Sequence, residues 1–105
     1  MRTHQEIDQR SRDLHRLIAD KLRANPDLFA RVGRTITRWQ AQVSRSALPY
    51  LDQWAQLFEQ GMDACLAVAE EDSQRADALR QCSPFTGILT NEERFAFFKS
   101  WPGSK

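Results

Sequence analysis

Apolar residues recur along most of this chain with the spacing of an amphipathic helix, and nowhere alternate long enough to make a strand. Ile7, Leu14, Leu17, Ile18 and Leu22 fall in one stripe when wound at about 100° per residue. Thr3 and Glu6 stand before that stripe in the T-x-x-E spacing of a capping box, where each side chain satisfies one orphan amide. Asn25 precedes Pro26, which pushes it out of the α region. These signals predict a long first helix over about residues 4–24.

Asn25, Pro26 and Asp27 read as N-cap, first helical residue and acidic first turn of a second helix. Leu28, Phe29, Val32, Ile36, Trp39 and Val43 supply its apolar face, with Gly33 a tolerated interruption. Ser44 to Leu48 is a short loop, and Pro49 opens a third helix with Tyr50, Leu51, Trp54, Leu57 and Phe58 inward. Gly61 ends it or kinks it into a fourth, from Met62 to about Glu71. Asp72 or Ser73 caps a fifth carrying Ala76, Leu79 and Cys82. Ser83-Pro84-Phe85-Thr86-Gly87 is a turn, and Thr90 with Glu93 restarts a helix carrying Phe95, Phe98 and Trp101. The C-terminal turn and helix span about residues 83–101. The expected architecture is all-α: a compact bundle of five or six helices in one domain, residues 1–105. Its core is expected from Leu14, Leu17, Ile18, Leu22, Phe29, Val32, Ile36, Trp39, Leu51, Trp54 and Leu57.

Composition narrows the class further. At 105 residues, 41% hydrophobic and 28% charged, the chain suits one globular domain and not a disordered segment. Its longest apolar run, residues 64–69, is too short for a membrane span or a signal-peptide core. Cys65 and Cys82 have neither zinc-ligand nor CxxC spacing, and two reduced, half-buried thiols in a cytoplasmic protein are expected.

Candidates for catalysis are few. His4 and His15 lie eleven residues apart on one helix, about 16 Å along its axis, too far to share a metal ion. Solvated or boundary positions are expected for both. Glu92 and Glu93 serve a helix start, and Glu70-Glu71-Asp72 forms a solvated acidic corner. No nucleophile elbow, zinc-protease helix or phosphate loop occurs. No catalytic residue, metal site or cofactor is expected, and the chain is read as a non-enzyme.

Net charge is only +1, but its distribution is uneven. Residues 1–45 hold ten Lys and Arg against five Asp and Glu, and residues 46–105 hold five against nine. Arg31, Arg34, Arg38 and Arg45 recur opposite the apolar face of the second helix, and Arg12, Arg16 and Arg23 do so on the first. Arginine makes planar bidentate contacts to carboxylates and phosphates. These seven are the candidate contacts to an acidic protein or to nucleic acid. The acidic half of the same chain, or of a second copy, is a further destination for them. Against nucleic acid, a helix-turn-helix placed on Gly33 or Gly61 leaves Arg34 or Gln60 where an apolar residue is needed. The pI near 7.8 is also below the usual basic footprint.

Ten aromatic residues are the other surplus. Phe97 points about 100° or more away from Phe98 and is a candidate apolar contact. Phe85 is either a plug between the fifth and sixth helices, the favoured role, or a second contact residue.

The run from Ser83 to Arg94, SPFTGILTNEER, preceded by Leu79-Arg80-Gln81, together with Leu14-His15-Arg16 and Ala24-Asn25-Pro26, resembles small bacterial helical proteins, some of them members of toxin–antitoxin-type gene pairs. That resemblance implies an antitoxin-like module that binds and masks a partner protein, such as the product of an adjacent gene. The alternative is a nucleic-acid-binding regulator using the arginine faces. Homo-oligomerisation is compatible with both, and a membrane partner is not expected.

Overall fold

Helical periodicity, capping residues and two positive-φ glycines divide the chain as the structure shows. A computed structural model describes residues 3–101. Among them are six α-helices and no strand: α1 (His4–Ala24), α2 (Phe29–Gln40), α3 (Leu48–Gln60), α4 (Met62–Ala69), α5 (Gln74–Arg80) and α6 (Asn91–Ser100). A single 3-10 turn, Pro26–Leu28, joins α1 to α2. The Cα radius of gyration is 13.6 Å, about that of one 100-residue globule.

The expected caps are largely realised. Thr3 accepts from the Glu6 amide at the start of α1, and Ser73 accepts from the Ala76 amide at the start of α5. Thr90 and Glu93 form the reciprocal capping box of α6. Asn25 behaves differently from the sequence expectation. Its side-chain amide and backbone N–H both donate to the Lys21 carbonyl, so it closes α1, and it makes no side-chain cap on α2. Gly61 takes φ 122° between α3 and α4, and Gly87 takes φ 87° in the turn before α6. L-residues with a Cβ rarely adopt such angles.

α1 packs on α4 and α5, α2 packs on α3, and α3 also meets α4 and α5. Ile18, Leu22, Val32, Ile36, Leu51 and Trp54 are buried as expected. Cys65, Leu66, Val68, Leu79, Phe85, Ile88 and Leu89 complete the interior. Trp54 is its centre: fully buried, it donates Nε1–H to the Leu79 carbonyl at 2.9 Å.

Three expectations need correction, and one choice between alternatives is decided. Leu17 and Ile7 are exposed, because the stripe on α1 is wider than the arc its neighbours cover. Trp39 is half-buried and belongs neither to the core cluster nor to the side chains packed against it. Phe85 is buried with its ring edge-on to Trp54 at 5.3 Å, as its favoured role of plug requires, and the alternative of a surface contact falls away. On α6 the outward ring is Phe95, at 69% exposed, while Phe97 and Phe98 are half-buried against one another at 5.3 Å. Phe95 and Phe97 are about 160° apart around a helix, so only one of them faces inward. Exposure shows that Phe95 is the outward one, while Arg10 over the Phe98 ring and the Trp101 Nε1–H donated to Asp13 tie the end of α6 to α1.

Candidate functional site

The seven arginines divide into two groups. On α1 they are largely consumed by the acidic half of the chain. Arg12 pairs with Asp72 at 3.1 Å, and Arg23 makes two hydrogen bonds to Glu70 at 3.0 and 3.3 Å. Those bonds to Glu70 hold the Arg23 guanidinium above its ordinary pKa. Arg16 is exposed and reaches only Asp13, at 4.0 Å. Lys21 bonds Glu93 and, with the Thr90 cap, holds that carboxyl below the usual range. The Glu70-to-Asp72 corner is thus an internal clasp for α1.

On and after α2 the arrangement is different. Arg31, Arg34 and Arg38 are exposed, and none forms an ion pair among the described residues. Arg45 is also exposed, but α2 ends at Gln40, so it belongs to the following loop and not to the helical row. Arg34 and Arg38 border a groove of about 720 Å³ between α2 and α3, with Gly33, Ile36, Ala55 and Phe58 on its walls and Glu59 at its rim. Gly33 has a steric reason for its place. A Cβ there would lie 2.5 Å from Phe58 Cζ, and that ring stacks on Phe29 at 4.6 Å. Arg31 faces the other flank, lining a hollow with Lys21, Asp27 and Thr90.

A second site was not anticipated. His15 is buried, not solvated. Its Nδ1 lies 2.7 Å from the Ser11 carbonyl and its Nε2 lies 2.7 Å from Ser83 Oγ. A carbonyl only accepts, so Nδ1 carries the proton and Nε2 accepts from the serine hydroxyl. Burial chiefly, helped by the nearby Arg80 charge and opposed by the Ser11 bond, lowers the imidazole pKa to about 4. Ser83 Oγ also accepts from the Phe85 N–H at 3.3 Å, and Phe85 stands edge-on to His15 at 5.9 Å. The pair resembles a nucleophile with its base. An imidazole of such low pKa is a weak base near neutrality, and the serine oxygen is already tied into the turn. The arrangement pins the 83–87 turn to α1.

Arg80 is a buried cation. Its Nη1 donates to the Ala69 and Glu71 carbonyls at 3.0 and 2.8 Å, and its Nη2 pairs with Asp77. It therefore closes the C-terminal end of α4, while its Nε is buried without a hydrogen bond among the described residues. The Asp77–Arg80 spacing was visible in the sequence. The His15–Ser83 contact spans 68 residues and carries no periodic signal.

Both thiols are free, Cys65 fully buried and Cys82 half-buried. Burial pushes the Cys65 thiol up to about 12, leaving it unreactive. No cluster of three or more metal-ligating side chains occurs among the described residues, and none of their helices is long and apolar enough to cross a membrane. No family model, curated protein or solved structure matches the chain.

Proposed function

We propose that the chain is a non-catalytic interaction module that lays the α2 face against an acidic surface of a partner protein. The supporting observation is the contrast between the two arginine groups. The carboxylates near α1 take up Arg12 and Arg23, whereas Arg31, Arg34 and Arg38 form no ion pair among the described residues. Exposed cations beside an apolar groove suit a partner segment carrying both carboxylates and apolar side chains. The resemblance at residues 79–94 makes the module antitoxin-like, covering a functional surface on the product of an adjacent gene. Its free thiols fit the cytoplasm.

Co-expression with the adjacent gene product followed by size exclusion tests this. The native chain is expected to co-elute with it, and the triple variant Arg31→Glu/Arg34→Glu/Arg38→Glu to elute alone with an unchanged melting temperature. Failure to co-elute with any neighbouring product removes the proposal. The same arginines also suit phosphates. Duplex binding at about 50 mM salt that weakens steeply as salt rises, with a slope flattened by the triple variant, would put a nucleic-acid regulator in its place.

A further inference from the structure

Between α1, Trp39 and the turn from Gln81 to Leu89 lies a cavity of about 290 Å³, open to solvent. Leu14, Ile18, Phe85 and Leu89 make its wall apolar. Its buried polar members are mostly occupied: His15 and Ser83 bond each other, and Arg80 caps α4.

The exposed residues lining it differ. Gln81, Thr86 and Arg94 are all exposed, and none of their side chains makes a hydrogen bond or ion pair among the described residues. Both charged residues in the lining, Arg80 and Arg94, are cations, and no carboxylate lines it.

We infer that this cavity binds a small organic monoanion, its apolar body on the Phe85 wall and its carboxylate held at the mouth by Arg94. The volume accommodates on the order of ten non-hydrogen atoms, taking each as about one water's share of space. Arg94 supplies a planar fork matched to a carboxylate, and Thr86 and Gln81 add neutral donors. His15 is no competitor for the anion, because its Nε2 accepts from Ser83 and its imidazole is neutral near pH 7. The seat is also preformed: Gly87 in its positive-φ conformation and the His15–Ser83 bond hold the turn against α1. This site shares no arginine with the α2 face, so either proposal stands or falls without the other.

Calorimetric titration with 3-phenylpropanoate and with its neutral analogue 3-phenylpropanol tests the inference. The carboxylate is expected to bind saturably and about tenfold more tightly than the alcohol, the difference made by one charge-assisted contact. Arg94→Gln, at an exposed position without an ion pair, should keep the melting temperature and bring the carboxylate down to the level of the alcohol. Thr86→Trp, which fills the mouth, should block both. Absence of saturable binding to the native chain overturns the site, and undiminished carboxylate binding by Arg94→Gln overturns the role given to that residue.

Discussion

A neutral imidazole inside the bundle makes His15 the residue through which pH reaches stability. In the folded chain its pKa is about 4. In the unfolded chain it returns to about 6.5. Between those values the unfolded state holds more protons, so stability is fully present above about pH 6.5 and is lost as pH falls toward the folded value. The loss between pH 7 and pH 4 amounts to roughly 3 kcal/mol. Urea unfolding at several pH values is expected to show that decline, and His15→Gln should flatten it. Glu93 acts in the same direction, its carboxyl being lowered by Lys21, but only below the ordinary carboxyl range, so the two windows separate. A native chain equally stable at pH 7 and pH 5 would mean that the folded state accepts the proton without cost. None of this was legible in advance. Periodicity places His15 on α1 beside Leu14, but the Ser83 hydroxyl that bonds it comes from a distant turn.

At the scale of elements, local chemistry was the most readable layer. Capping at Thr3, Ser73 and Thr90, the break at Gly61 and the turn at Gly87 all depend on residues within four positions of one another, and all stand where the sequence put them. Expectation and structure part where an element's role depends on what it meets. Asn25 has two neighbours to serve and serves α1. Leu17 belongs to the apolar stripe but is left 38% exposed at its margin. Gly33 reads in the sequence as a flaw in α2, yet it is where the Phe58 ring meets the helix. Two effects then oppose each other in Gly33→Ala. Helix propensity favours alanine by about 1 kcal/mol, while forcing a packed ring aside costs about 1–3 kcal/mol. Because Phe58 is also stacked on Phe29, the packing cost is expected to win, for a net loss of about 1 kcal/mol in chemical unfolding. The same change made with Phe58→Ala should instead stabilise the chain. A gain in both backgrounds would show that the ring moves freely into the groove.

The whole molecule joins a basic half to an acidic half, and it is tempting to credit charge with holding them together. The magnitudes argue otherwise. Arg23 and Asp72 are substantially exposed, and pairs of that kind contribute about 0–1 kcal/mol each. What crosses from the C-terminal part into the centre is apolar. Phe85, 1% exposed, stands edge-on to Trp54 of α3 and to His15 of α1, and Ile88 and Leu89 are buried beside it in the chain. The sequence pointed to a plug because neither Phe85 nor Ile88 has a helical period of its own; it could not say that the plug reaches the central tryptophan. Phe85→Ala is therefore expected to cost the isolated protein about 3–5 kcal/mol. In a domain of this size that lowers the melting temperature by more than about 10 °C. Raising the salt concentration to screen the exposed pairs should cost far less. Thermal unfolding of the native chain at low and high salt, beside Phe85→Ala at low salt, makes the comparison directly. A salt effect as large as that of the mutation would mean that the charge-segregated halves hold the bundle closed, with the aromatic centre secondary.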